Sequence, residues 1–117
     1  MPTAKQRASQ RRALRWAQND VCAGCGGFVP SHRRLKPYHP DYPTFDHVIA
    51  RNHGGGRTLD NGLLKHLRCN QTRGNRRPTG CDLIWHDLVQ ARLSGRPRSF
   101  KSTFAGGASN RVPFCRE

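Results

Sequence analysis

The chain has 117 residues, the size of one small domain, and only 34% of them are hydrophobic. With 12 glycines and 8 prolines there is little material for a core, so we expect a metal to stabilise the fold. Lys and Arg outnumber Asp and Glu by 21 to 7, giving a formal charge of +14 that favours a polyanionic partner. The sequence has no apolar run long enough to span a bilayer, so nucleic acid is favoured over a membrane.

The first predicted element is a basic N-terminal helix or arm within residues 1–20. Residues 5–18 contain five basic residues and no acidic one, and their Ala, Arg and Gln content favours a helix. Leu14 or Trp16 is expected to pack it on the core, and a solvated arm is the alternative before Gln10. The basic side chains expected to face phosphate are Arg7, Arg11, Arg12 and Arg15.

Irregular and extended segments are predicted for the middle of the chain. Residues 28–43 contain four prolines and predict a basic loop. A short strand is predicted over residues 44–50, the glycines at 54–56 interrupt the chain, and an extended apolar segment follows from Leu63. Residues 69–76 predict a short helix.

The most regular helical pattern lies between Gly80 and Gly95. Its apolar residues recur from Ile84 at i, i+4 and i+7, which is typical of a helix with one face in the core. Asp82 is predicted to cap its start and Gly95 to end it. Residues 96–117 are expected to form a basic, flexible tail.

Two pairs of soft ligands are spaced as in structural zinc sites. Cys22 and Cys25 flank a glycine-containing turn, and His66 and Cys69 repeat the two-residue spacing. A thioredoxin-like redox motif would need a βαβ context that the sequence lacks. We therefore predict a Cys3His zinc site.

The cysteine count also bears on the compartment. Five is an odd number, and the N-terminus lacks the apolar stretch of a secretory signal. Disulfides are therefore a weak explanation, a cytoplasmic location is expected, and Cys81 and Cys115 are expected to be ordinary thiols.

A second constellation has the residue types that phosphodiester hydrolysis needs. His47 could act as a base near neutral pH, while Asp46 and Asn70 offer oxygens to a hard cation such as Mg²⁺ or Mn²⁺. Neighbours on a strand point to opposite sides, so Asp46 and His47 would have different roles. Alone, an Asp-His dipeptide would be read as a chance feature of a polar strand.

Residues 46–76, DHVIARNHGGGRTLDNGLLKHLRCNQTRGNR, resemble the HNH endonuclease family. They reproduce its D-H-[IV], glycine pair, N-x-L and C-x-x-C-[NH] elements in order, with His66 in place of the third cysteine and Asn70 where many members carry histidine. The resemblance implies an α+β fold, a small zinc-stabilised ββα-metal (His-Me finger) domain with flanking helices. We assign it to residues 21–95.

The resemblance also implies roles. His47 would be the general base, Asn61 would hold the histidine-bearing loop, and Asp46 with Asn70 would bind the catalytic divalent cation. Further contacts to the DNA backbone are expected from Arg51, Arg73 and Arg76, although a solvated basic face is the alternative for the last two. The implied activity is hydrolysis of double-stranded DNA to 5′-phosphate and 3′-hydroxyl ends.

Short, basic, stand-alone members of this family are similar to those of bacteriophages, where members can assist the terminase in packaging, but restriction and mobile-intron nucleases share the same core. A phage terminase is therefore a candidate partner. The main alternative is a zinc-dependent nucleic-acid-binding module without catalysis, and a further one is an RNA- or ribosome-associated zinc protein. No role is assigned to His32, His39, His53 or His86.

Overall fold

The computed structural model describes residues 2–95 of the chain and has the predicted α+β fold. A two-stranded antiparallel sheet is followed directly by a short helix, and longer helices precede and follow this ββα unit. The helices are α1 (Ala4–Gln18), α2 (Leu67–Arg73) and α3 (Gly80–Ser94), the strands are β1 (Pro43–His47) and β2 (Gly62–His66), and single 3-10 turns occur at His32–Arg34, Arg51–His53 and Leu59–Asn61.

The hairpin sets the relation between the two neighbouring polar residues of β1. Asp46 pairs with Leu63 of β2, and His47 pairs with Gly62. Because side chains alternate along a strand, Asp46 and His47 lie on opposite faces. The strand is shorter than predicted, although the Val48 N–H still donates to the Asn61 carbonyl at 2.9 Å.

Helix α1 is capped at its start and packs on the core near its C-terminal end. Thr3 caps it in a capping box, and Leu14 is only 1% exposed, whereas Trp16 is 66% exposed. The buried Gln18 side chain accepts from the N–H of Leu64 (2.7 Å) and donates to its carbonyl (2.9 Å), which fixes α1 to the open edge of β2. The predicted packing through Leu14 is confirmed.

Helix α3 begins two residues before the predicted cap. Thr79 is the N-cap residue, and Asp82 is the third helical residue of the capping box. The prediction that Asp82 is the cap is therefore wrong, because the threonine hydroxyl already accepts from the Asp82 N–H. Gly95 ends the helix in the left-handed conformation, as predicted. The predicted tail, residues 96–117, lies outside the described residues.

The core lies between the sheet and the two long helices. It includes Leu14 of α1, Leu63 and Leu64 of β2, and Trp85 and Leu88 of α3, all at most 1% exposed. Within the described part of the chain, no helix has the length and apolar character needed to cross a membrane.

Candidate functional site

The four predicted zinc ligands converge on one point. Their ligand atoms, from Cys22, Cys25, His66 and Cys69, all lie within 4.8 Å of one another. The His66 Nδ1 is 3.4 Å from the Cys25 sulfur and 3.9 Å from the Cys69 sulfur. Tetrahedral zinc with ordinary bond lengths would put such atoms roughly 3.6 Å apart. The Cys3His cluster could therefore hold zinc.

Hydrogen bonds around the Cys3His cluster prepare its atoms as ligands. The His66 Nε2 lies 2.7 Å from the Phe28 carbonyl, which can only accept, so Nε2 carries the proton and Nδ1 is free for a metal. The backbone N–H groups of Gly24 (3.2 Å) and His66 (3.4 Å) donate to the Cys22 sulfur. Such donors favour the thiolate form that binds a metal.

The negative charge of the thiolates in the Cys3His cluster also favours binding of a cation. Burial, followed by the neighbouring sulfur of Cys22 and then that of Cys25, raises the pKa of the Cys69 thiol to about 12. Adjacent thiolates repel one another in a partly buried site, and a divalent cation between them removes that repulsion. The chemistry of the donor set thus fits zinc.

A second site is an open cavity of about 520 Å³ beside β1, which we call the His47 cleft. Its wall includes Phe45, Asp46, His47, Arg51, Arg57 and Asn70. The His47 ring meets Phe45 edge to face, with 5.0 Å between centroids. A Cβ at Gly62 would come within 2.3 Å of the Phe45 ring, so only glycine fits opposite His47.

The His47 imidazole is in a form that can accept a proton. Burial is the largest cause that lowers its pKa, followed by the charges of Arg51 and Arg57. The ring is therefore neutral at pH 7. Its Nε2 is buried without a hydrogen-bond partner in the described structure.

Asp46 is buried, at 3% exposure, within a cluster of four charged side chains that we call the buried ion cluster. Its Oδ2 accepts from Lys65 Nζ at 3.0 Å and from Arg73 Nη1 at 2.9 Å. Lys65 also reaches Asp82 at 2.7 Å, so two acids balance two bases. Within residues 2–95, Asp46 Oδ1 makes no hydrogen bond, and Asp46 is one of the residues that line the His47 cleft.

Asn70 of α2 reaches the same cleft with its amide oriented. The Nδ2 donates to Thr44 Oγ1 at 3.2 Å and to the Phe45 carbonyl at 3.4 Å. Both partners accept, so the nitrogen must lie on that side and Oδ1 on the other. The sequence predicts that Asp46 and Asn70 bind the same cation, and the structure places both residues at the wall of one cleft.

Asn61 lies outside the cleft wall and closes the loop after β1. Its Oδ1 accepts from the Ile49 N–H at 2.8 Å, and its Nδ2 donates to the carbonyls of Ile49 (3.1 Å) and Gly56 (2.9 Å). A Cβ at Gly55 would lie 1.8 Å from the Ile49 oxygen, so the loop can pass there only with glycine. Asn61 therefore acts on the loop and has no direct contact with His47 among its hydrogen bonds.

Two arginines expected to contact DNA have other positions. Arg73 is 4% exposed and binds Asp46 and the carbonyls of His47 and Val48. Its prediction as a DNA contact is wrong, because a buried guanidinium cannot reach a duplex. Arg15 is only half-buried, yet it donates to Asp20 and to the carbonyls of Val29 and Pro30 in the basic loop. It is occupied in holding α1 to that loop.

The other basic candidates are on the surface to different extents. Arg12 and Arg51 are exposed, and Arg51 lines the His47 cleft. Arg76 is exposed, but its guanidinium donates to the carbonyls of Thr72 and Arg73. The half-buried side chains among them are Arg7 and Arg11. Their role in binding DNA stays a prediction.

Sequence reasoning missed two residues of the site, Lys65 and Arg57. Lys65 is fully buried, and the sequence offers a signal: it stands between the apolar Leu64 and the zinc ligand His66 in a chain with only seven acids. Burial lowers the pKa of Lys65, but the carboxylates of Asp46 and Asp82 raise it by a larger amount. The pKa therefore lies above its usual value, and the side chain is charged. Arg57 lines the His47 cleft, and nothing in its local sequence indicates this.

The prediction for Cys81 is wrong, because this residue is disulfide-bonded and not an ordinary thiol. Cys115 lies outside the described residues. The free cysteines of the described chain are the three of the Cys3His cluster.

Comparison with known proteins agrees with the geometry. Residues 22–76 match the family model of the HNH endonuclease, a range that contains the Cys3His cluster, both strands and α2. No curated protein and no solved structure matches the chain. The Cys3His cluster and the His47 cleft thus lie in the segment that is similar to the HNH endonuclease family.

Proposed function

We propose that the protein is a metal-dependent endonuclease that hydrolyses double-stranded DNA and leaves 5′-phosphate and 3′-hydroxyl ends. The observation that carries this proposal is the His47 cleft, whose wall includes the neutral imidazole of His47 together with Asp46 and Asn70. A module that only binds nucleic acid has no need of this combination.

The donor set of the cleft suits a hard divalent cation such as Mg²⁺ or Mn²⁺. Asp46 Oδ1 and Asn70 Oδ1 would hold it, with water and substrate completing the coordination. When bound, the cation would neutralise charge on the phosphate and stabilise the leaving oxygen. Since Lys65 and Arg73 already offset the charge of Asp46, we expect weak binding of the cation without DNA.

In the reaction that we propose, His47 accepts a proton from the attacking water. The water oxygen bonds to phosphorus, and the bond from phosphorus to the 3′ oxygen breaks. The leaving oxygen takes a proton from solvent and becomes the 3′-hydroxyl. Phe45 and Asn61 support His47 indirectly, through the ring contact and the closed loop.

DNA binding would rest on basic residues around the cleft. Arg51 at the cleft wall and Arg76 beyond α2 are exposed, and α1 adds Arg7, Arg11 and Arg12. The net charge of +14 supports attraction to the duplex backbone. Arg15 and Arg73 are not part of this surface, because their guanidinium groups are bonded inside the fold.

The experiment is cleavage of supercoiled plasmid by the zinc-loaded protein with Mg²⁺ or Mn²⁺, and with EDTA as control. We expect His47→Ala to lower the cleavage rate by about 10²–10⁴-fold, the usual contribution of a general base. His39→Ala removes an exposed histidine and should cleave like wild type.

Two outcomes would overturn the proposal. Cleavage by His47→Ala at the wild-type rate would show that His47 is not the base. Tight DNA binding by a wild-type protein that cleaves with neither metal would favour the alternative, a zinc-dependent nucleic-acid-binding module. The observation that favours this alternative is that Lys65 and Arg73 already offset the charge of Asp46, which weakens the binding of a cation.

The biological setting that we propose is phage DNA packaging with a terminase as partner. It is supported by the small size and basic charge of the chain together with its family. Co-purification with the terminase of a phage that encodes this protein would test it, and cleavage without any effect of the terminase would argue for restriction or homing.

A further inference from the structure

Arg57 is a cation of the His47 cleft with no role so far. It follows the glycine run after β1, and its side chain returns to the cleft wall beside Phe45 and His47. Its guanidinium carbon lies 4.7 Å from the centroid of the Phe45 ring, the same ring that His47 meets edge to face. One aromatic side chain thus supports both His47 and Arg57.

Helix α1 holds Arg57 from the other side. Gln10 Oε1 accepts from Arg57 Nε at 3.2 Å, and Gln10 Nε2 donates to the Arg57 carbonyl at 3.1 Å. One glutamine therefore fixes both the backbone and the side chain of Arg57. The positions of its Nη atoms are set by these contacts, which reduces the entropy lost when a ligand binds.

The outer end of the guanidinium is available. Within residues 2–95, neither Nη atom of Arg57 has a hydrogen bond, and no carboxylate pairs with it. Arg7 and Arg11 lie close enough that their charges, after burial, lower the pKa of Arg57. Two parallel N–H donors on a fixed arginine match the geometry of a phosphate.

We propose that Arg57 binds the phosphate that is placed in the His47 cleft for cleavage, and that Gln10 of α1 is its positioning residue. The inference rests on the proposed function, and it identifies the residue that binds the phosphate group of the DNA substrate. Gln10 precedes residues 22–76, so the active site includes a helix outside the segment that matches the family.

The test compares single-turnover plasmid cleavage at saturating protein for wild type, Arg57→Ala and Arg57→Lys. Arg57→Ala should slow cleavage by about 10²-fold or more, as loss of a donor to the reacting group does. Arg57→Lys should be intermediate, because the ammonium keeps the charge without the fork. Arg33→Ala removes the same charge from an exposed turn and should cleave like wild type.

DNA affinity without divalent metal separates this role from general attraction to the backbone. It should change little in Arg57→Ala, because only one of several phosphate contacts is lost. Zinc content and circular dichroism must match those of wild type. If Arg57→Ala does not fold, Arg57→Lys and Gln10→Leu decide the question by the same rates.

Gln10→Leu tests the positioning role. We expect cleavage to slow by about tenfold in the wild-type background and not at all in the Arg57→Ala background, since Gln10 acts through Arg57. An equal effect in both backgrounds would mean that Gln10 supports only the fold.

Two results would overturn the inference, and they are distinguishable. If wild type cleaves and Arg57→Ala cleaves as fast as Arg33→Ala, Arg57 does not bind the reacting phosphate and the proposed function stands. If wild type fails to cleave DNA with every metal tested, the proposed function fails and the inference fails with it.

Discussion

The orientation of Asn70 follows from a short chain of hydrogen bonds. The Thr44 hydroxyl donates to the Lys65 carbonyl at 2.9 Å, so its oxygen is left as an acceptor for Asn70 Nδ2. The Phe45 carbonyl, a second acceptor, requires the same orientation. The amide of Asn70 is thus held with its nitrogen toward Thr44 and Phe45 and its oxygen on the other side. Histidine, which many family members carry, would offer a nitrogen there and suit softer metals.

Asn70→Ala should therefore weaken the response to metal more than the fold. We expect the Mg²⁺ concentration for half-maximal cleavage to rise by about 10–100-fold, because a ligand oxygen is lost. Stability should fall by only about 1 kcal/mol, the worth of its hydrogen bonds. Cleavage measured against Mg²⁺ concentration checks this, and an unchanged metal response would remove Asn70 from the cation site.

At the scale of elements, the loop from Val48 to Asn61 joins β1 to β2 and is closed by Asn61. The three hydrogen bonds of this side chain hold Ile49 and Gly56 together across the loop. The loop carries Arg51 and Arg57 to the His47 cleft. Its shape therefore decides where these cations lie relative to His47.

Asn61→Ala should loosen this loop without affecting the zinc ligands. The Ile49 N–H loses its acceptor, so its amide hydrogen should exchange faster. We expect cleavage to slow by about 10²-fold from misplacement of the cleft residues. Hydrogen exchange and zinc content, measured on one sample, check this prediction. Unchanged exchange at Ile49 would contradict it.

The buried ion cluster links four elements of the fold. Asp46 lies on β1, Lys65 on β2, Arg73 at the end of α2 and Asp82 in the first turn of α3. A buried pair of this kind gives little net stability compared with apolar residues, but loss of one partner leaves a buried charge unpaired.

Lys65→Met should therefore destabilise the zinc-loaded protein by about 3–5 kcal/mol. The second substitution Asp82→Asn, added to Lys65→Met, should restore part of this loss, because Arg73 alone would otherwise face the two carboxylates of Asp46 and Asp82. Urea unfolding followed by circular dichroism measures the effect, with Lys36→Met as the control at an exposed lysine. Equal unfolding midpoints for Lys65→Met and wild type would show that the cluster does not matter for stability.

Local pattern was sufficient for part of this fold. The apolar spacing from Ile84 predicts α3, and the repeated two-residue spacing predicts the Cys3His cluster that the structure brings together. Both signals lie within a few residues of sequence. The contact of Gln10 with Arg57 spans 47 residues and depends on how α1 packs, so no local pattern could reveal it.

The same reason explains the error at Arg73. Family position and basic character both suggested a DNA contact, whereas the end of α2 turns this side chain toward Asp46, 27 residues earlier. An arginine of a short helix can contact DNA or bond inside the fold, depending on the face of the helix on which it lies. The packing of α2 against the hairpin sets that face.

For the whole molecule, zinc would be the link that keeps the cleft assembled. Cys22 and Cys25 precede the hairpin, His66 ends β2, and Cys69 lies one residue before Asn70 in α2. Helix α2 has seven residues, which is too short to be stable alone in water. Without the metal, Cys69 would be released, and the helix that carries Asn70 and Arg73 would lose its fixed position.

Removal of zinc should therefore abolish cleavage although no catalytic atom is removed. Binding of zinc by such ligands contributes on the order of 10–16 kcal/mol, more than the stability of a small domain, so we expect loss of helical circular dichroism as well. A zinc-selective chelator in excess Mg²⁺ tests this, and Cys25→Ser should give the same result. Re-addition of Zn²⁺, but not more Mg²⁺, should restore cleavage, since the free thiols of residues 2–95 are those of the Cys3His cluster. Full cleavage by a protein with no detectable zinc would show that the cleft forms independently of the metal.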